Sequence, residues 1–130
     1  MSQSVNLDIA KRVDLICRKG DTFTISLTFT DTNGDDMPVD SHAFRMAVKE
    51  TDTSAADIIA TSDFSFDVDP ANVVTITCQY DVMETKPAGV YVYDLQSKVG
   101  NVVRTWVYGI FKINEDVATW RIFPLLMADK

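Results

Sequence analysis

The stretch "TFTISLTFT", Thr22 to Thr30, alternates without interruption. Phe23, Ile25, Leu27 and Phe29 fall on one side, and the threonines with Ser26 fall on the other. That period of two belongs to a half-buried β-strand with β-branched residues on its wet face. Upstream, "RVDLIC" places Val13, Leu15 and Cys17 on one face, and "RKGD" turns the chain. Downstream the strand runs into "DTNGDD", where Asn33-Gly34 is expected to supply the positive φ values of a tight hairpin turn.

The same period recurs along the chain. "AFRMAVK" sets Phe44, Met46 and Val48 opposite Arg45 and Lys49, and the polar "ETDTSAAD" reads as a loop. Short strands are expected at "IIAT" and at "FSFDV", the latter aligning Phe64, Phe66 and Val68. A turn at Asp69-Pro70 leads into "NVVTITCQY", with Val74, Ile76, Cys78 and Tyr80 together. "DVMETKPAG" suits one helical turn before Pro87. The run after Gly89 then turns Tyr91, Tyr93, Leu95 and Val99 inward. Gly100-Asn101 is a second hairpin turn, and "VVRTWVYGIFKI" is the last strand, Val102 to Ile113. Seven or eight short strands with no amphipathic helix point to an all-β antiparallel sandwich, in which two half-dry sheets bury each other. A small closed barrel is the alternative.

A chain of 130 residues that is 46% apolar suits one domain with its own core. The expected organisation is an N-terminal arm over residues 1–11, the sandwich over 12–118 and a C-terminal tail over 119–130. The formal charge is −7, and no run of basic residues exceeds Arg18-Lys19, so neither nucleic acid nor an anionic lipid surface is an expected partner. The start "MSQSVNLDIAK" lacks the features of a signal peptide, and no apolar run approaches the ~20 residues of a membrane helix. Folding in the cytosol is expected, with Cys17 and Cys78 as reduced thiols. Their separation is similar to that of the paired cysteines of immunoglobulin domains, but no Trp lies between them to pack on a bridge.

Chemistry-bearing patterns are sparse. His42, the single histidine, sits in "VDSHAF" with no nucleophile elbow around any serine, and is read as a surface or capping residue. The many Asp cluster at turns, where their carboxylates bond local backbone amides. "DTNGDD" is a poor calcium loop: Gly34 stands fourth rather than sixth, and the twelfth residue is His42 rather than Glu. Two cysteines and one histidine, far apart, do not make a zinc site. No enzyme activity, cofactor or metal is expected.

Two apolar features stand out instead. In the last strand Val103, Val107, Phe111 and Ile113 suit a core face, which leaves Trp106, Tyr108 and Ile110 on the other. A strand apolar on both faces is either covered within the domain or part of an interface. The end "ATWRIFPLLMADK" gathers Trp120, Ile122, Phe123, Leu125, Leu126 and Met127, a tail that either folds back or docks on a neighbouring subunit. These nine residues are the candidate protein-interface set. A carbohydrate-binding module, with Trp106, Tyr108 and Trp120 stacking on sugar rings, is the alternative.

Three blocks taken together carry a family resemblance: "LICRKGDTFTISLTF", "AFRMAVKE", and "KPAGVYVYDLQ" followed by a hairpin, Arg104-Thr105, Gly109 and "NEDVAT". Over residues 13–119 their order resembles the amino-terminal domain of phage upper baseplate proteins, a module also found on other tail and fibre proteins. The resemblance implies an immunoglobulin-like β-sandwich that anchors other virion proteins, with no catalytic residues. Its matching positions are Gly20, Asp21, Phe23, Pro87, Gly89, Tyr91, Tyr93, Asp94 and Gly109. Larger relatives continue into a linker and a fibre, whereas this sequence stops at Lys130. The expectation is therefore a ring, collar or adaptor subunit of the virion, assembled in the host cytoplasm. Its partners would be tail, neck or fibre components and further copies of itself in a homo-oligomeric ring.

Overall fold

In the computed structural model, which describes residues 10–115 and the backbone of residues 2–6, the alternating stretch is strand β4 (Phe23–Thr30). Phe23, Ile25, Leu27 and Phe29 are all buried. It pairs antiparallel with β7 (Val73–Cys78), whose Val74, Ile76 and Cys78 face the same way, and β7 pairs with β6 (Ser65–Val68). On the outer side, hydroxyl pairs Thr24–Thr77 (3.3 Å) and Ser26–Thr75 (3.0 Å) tie β4 to β7 across the ladder. β1 (Ser2–Asn6) runs along the other edge of β4, so residues 2–6 of the expected N-terminal arm are a strand of this sheet.

The second sheet is built on β8 (Gly89–Val99) and β9 (Val102–Asn114), joined at Gly100-Asn101 as expected. β5 (Ala43–Lys49) pairs with β8, while β2 (Lys11–Arg12) and β3 (Leu15–Arg18) run parallel along β9. The orders β1-β4-β7-β6 and β5-β8-β9 are the two sheets of an immunoglobulin domain, so the protein is an immunoglobulin-like β-sandwich. One departure is that β1 runs parallel to β4.

The "KPAG" turn explains itself here. The Tyr91 hydroxyl donates to the Pro87 carbonyl at 2.6 Å, the tyrosine corner that pins the start of this strand in immunoglobulin sandwiches. Gly89 makes room for it, since a Cβ there would lie 3.0 Å from the Tyr91 hydroxyl.

Several expectations are corrected. "DTNGDD" does not close a hairpin between β4 and β5, which lie in different sheets; residues 31–42 cross between them. Locally, Thr30 and Asp36 form one bridge, and the Asp31 carboxylate accepts from the amides of Asn33 (2.9 Å) and Asp35 (3.0 Å). Only Gly34 needs a positive φ there, 84°. "IIAT" forms a single bridge, Val48 to Ile59, and then a 3-10 turn (Thr61–Asp63), because the Thr61 hydroxyl turns back to the Met46 carbonyl at 2.9 Å. Tyr80 does not extend the face of β7; it opens the one-turn helix α1 (Tyr80–Met83), exposed, while Met83 enters the core. Val99 is exposed beside the hairpin turn, and the preceding inward position is held by Ser97.

The largest correction concerns Trp106. Pairing of β8 with β9 runs from Val99–Val102 to Gln96–Thr105 and resumes at Leu95–Val107, so Trp106 is the extra residue of a β-bulge. The bulge directs both Trp106 and Val107 into the core, with Trp106 only 1% exposed, and it leaves Val103 outside. The indole meets Phe29 edge-on, 4.9 Å between centroids at 85°. Its Nε1–H donates to the Ser97 hydroxyl at 2.8 Å, and that hydroxyl also bonds His42 Nδ1 at 3.0 Å. Trp106 is thus a core residue, not an interface or sugar-stacking residue.

Replacing Ser97 by Ala leaves the buried indole N–H without its acceptor. Ser97→Ala is expected to lower the unfolding free energy by about 1–3 kcal/mol in urea titration. An unchanged midpoint would show that the Trp106–Ser97 bond carries no weight.

Candidate functional site

With Trp106 inside, the functional candidates among the described residues gather on the outer face of the five-stranded sheet. The pairing registers arrange that face in rows. One row is Ile16, Lys112 and Val90; the next is Ile110, Val92 and Lys49; a third is Arg12, Tyr108, Asp94 and Ala47. Arg45 stands beyond them, opposite Gln96. A shallow concavity of about 470 Å³ follows the second and third rows, with Arg12, Arg45, Lys49, Tyr108, Ile110 and Val92 in its lining.

Two devices aim Tyr108 and Ile110 outward. The first is the bulge at Trp106, which resets the alternation of β9. The second is the break between β2 and β3, where Val13 and Asp14 continue the 11–107 and 15–111 registers without entering a strand. The Val13 amide donates to the Tyr108 carbonyl at 2.9 Å, and the Tyr93 hydroxyl donates to the Val13 carbonyl. The Asp14 carboxylate then accepts from the Ile110 amide at 3.0 Å and from Arg12 Nε at 3.2 Å. The Ile110 amide, followed by Arg12, holds the Asp14 carboxyl below its ordinary pKa, so this tie is complete above that value and is lost as pH falls through the lowered one. Gly109 is required because a Cβ there would sit 2.6 Å from the Val13 carbonyl oxygen and 2.7 Å from Asp14 Oδ1.

Of the expected interface residues, Tyr108 is 43% exposed and Ile110 is half-buried beside it on this face. Trp120, Ile122, Phe123, Leu125, Leu126 and Met127 lie outside the described residues. The structure adds Ile16, 64% exposed, and Val90, 60% exposed, which flank Lys112. The signal for Ile16 was available: an inward Leu15 obliges its neighbour to face out.

Charge divides the two sheets. β2, β3, β5, β8 and β9 hold eight of the chain's twelve Lys and Arg against a single acid, Asp94. The strands of the four-stranded sheet hold no Lys or Arg at all. Individual strands show only scattered basic residues; the concentration emerges once the strands are placed side by side.

The remaining reactive groups sit elsewhere. His42 packs on Phe44 with ring centroids 6.2 Å apart and is tied to Ser97, whose hydroxyl is closed to solvent. Both cysteines are free thiols, as expected. Burial pushes Cys17 up to about 12 and Cys78 up to about 11, so neither is a nucleophile at neutral pH. No group of three or more His, Cys, Asp and Glu among the described residues is placed to hold a metal ion.

Neither a known protein family nor a curated protein matches the chain. Among solved structures, the titin M3 domain aligns over 82% of this chain and 93% of its own, at 5% identity and a TM-score of 0.48. A chain from a structure of T-cell activation by the bacterial superantigen toxic shock syndrome toxin-1 covers the same shares at 12% identity and 0.41. The inclusion body protein PixA from Burkholderia cenocepacia aligns over 78% of this chain and 59% of its own, at 15% identity and 0.27. At these scores the likenesses carry no functional argument, and the fold rests on the strand order itself.

Gly109→Ala must displace the Val13–Asp14 crossing. It is expected to destabilise the domain by about 1–3 kcal/mol and to speed hydrogen exchange at the Ile110 amide. Wild-type stability with unchanged Ile110 protection would contradict the close approach.

Proposed function

We propose that the protein is a structural component of a tailed-phage virion, an adaptor or ring subunit of the tail, neck or baseplate that holds other virion proteins. Its mechanism is assembly. The reading is carried by the ordered sequence blocks that resemble the upper baseplate module, whose matching positions fall on residues that shape the sandwich. Gly20, Asp21 and Phe23 lead into β4. Pro87, Gly89 and Tyr91 build the tyrosine corner of β8, and Gly109 admits the Val13–Asp14 crossing.

The outer face of the five-stranded sheet adds support of a second kind. Ile16, Val90 and Tyr108 are exposed there, amid arginines and lysines. Tyrosine and arginine are enriched among the residues that anchor protein contacts: tyrosine buries a large area at modest entropic cost, and arginine presents five donors in one planar fork. The apolar tail from Trp120 to Met127 offers a further contact element in the same scheme. For a sugar-binding module the burial of Trp106 removes one of the three expected stacking residues, and Tyr108 is the one that remains among the described residues.

The test is detection of the protein in purified particles of the phage that encodes it, by mass spectrometry, beside a chain shortened by deletion of residues 120–130. The full chain is expected in the particles at a fixed stoichiometry. The shortened chain is expected to keep its melting temperature and be lost from them. Absence of the full chain from the particles would overturn the reading.

A further inference from the structure

We infer that copies of this chain associate head to tail, the acidic loop end of one molecule seated on the basic outer face of the five-stranded sheet of the next. This deepens the assembly reading above and rests on it for the ring setting. The acidic element is built from two loops, residues 31–42 and 69–72. The Val39 amide donates to the Ala71 carbonyl at 2.7 Å and joins the two loops, and the Phe29 amide of β4 donates to the Asn72 carbonyl at 2.8 Å beside them. Between them they carry Asp31, Asp35, Asp36, Asp40 and Asp69 and no Lys or Arg. Asp31 is used by its own turn, while Asp35, Asp36, Asp40 and Asp69 are exposed.

The receiving surface is the shallow concavity on the other element. Arg12, Arg45 and Lys49 line it with Asp52 and Asp94, around a floor of Val92, Tyr108 and Ile110. Arg12 is shared with Asp14, and Lys49 reaches Asp57 only at 3.8 Å. Arg45 is exposed on the rim. Within the concavity Asp52 and Asp94 offset much of this charge, but across the whole outer face the exposed Arg18, Lys98 and Lys112 join Arg12, Arg45 and Lys49, so cations outnumber acids there. On a chain of net charge −7 the partner that such a face selects is acidic, and the chain itself supplies an acidic end with four exposed Asp. The two surfaces are different patches of the molecule, so the contact is heterologous: each copy keeps one unused face, and repetition yields a ring or an open chain rather than a closed pair.

Salt dependence separates this contact from a hydrophobic one. At about 0.01 M salt the screening length is about 30 Å, and the net charges of two copies repel across the whole molecule. At about 0.1 M it is about 10 Å, so the facing Arg, Lys and Asp dominate; at about 1 M it is about 3 Å and their attraction is lost. Association should therefore pass through a maximum near the middle of this range.

The experiment uses the full chain with two charge-reversed variants, Arg45→Glu with Lys49→Glu, and Asp36→Lys with Asp40→Lys. Mass is read by sedimentation across the salt series, and folding by thermal melting. Wild type is expected to grow beyond a dimer with concentration, and each variant alone to associate at least about tenfold more weakly. Mixing the two variants restores growth, because the acidic face of one then meets the basic end of the other, and the reverse. Should a variant fail to fold, single reversals at Arg45 and Asp40 carry the same test. A monomeric wild type at every salt concentration overturns the inference, as does association that survives either reversal or a mixture that stays monomeric. A chain present in phage particles yet monomeric in solution would defeat the head-to-tail contact and leave the adaptor reading standing.

Discussion

The bulge at Trp106 is the constraint on which the rest of this sandwich depends. One extra residue in β9, opposite the Leu95–Gln96 step of β8, turns two consecutive side chains inward. Trp106 then packs edge-on against Phe29 of the facing sheet. The cost of burying an indole N–H is met by Ser97, the single buried polar residue among the described core positions, and Ser97 in turn engages His42 at the mouth of β5. A bond of this kind in a dry setting specifies one arrangement, because any slip of the β8–β9 register would orphan the indole.

The same bulge decides what the outside looks like. By resetting the phase of β9 it sends Tyr108 and Ile110 to the outer face, where the Val13–Asp14 crossing over Gly109 holds them. That face then collects Arg12, Arg18, Arg45, Lys49, Lys98 and Lys112 from the five strands. The domain therefore has an electrostatic direction that its net charge conceals: a basic sheet, and an opposite character in the loops and the turn-borne Asp residues. Cys17 and Cys78 are held protonated by burial, and His42 is occupied with Ser97.

Much of the fold was legible from period-two alternation because burial on one face leaves a direct imprint on sequence. β4, β7 and the Tyr91–Tyr93–Leu95 face of β8 follow from it, and the turn at Gly100-Asn101 follows from its residue types. What escaped was non-local. A bulge is defined by the partner strand, so nothing within "VVRTWVYGIFKI" reveals that Trp106 and Val107 share a side. Asn33-Gly34 carries a hairpin signal, but the turn lies within a crossover, since turn chemistry states the local bend and not the destination sheet. The candidate site suffered most from the bulge. Tyr108 and Ile110 lie on the outer face as alternation predicts, Trp106 does not, and Ile16 and Val90 join them there only through pairing across β9.

The indole of Trp106 offers the most direct test of this account. In a Trp120→Phe variant of the full chain it is the one remaining indole, and its N–H exchange with solvent can be followed by NMR. A proton buried under Phe29 and bonded to Ser97 is predicted to persist with protection like that of the central amides of β8 and β9. Exchange at the rate of a free indole would place Trp106 on the surface, remove the bulge from the core and contradict the account at its centre.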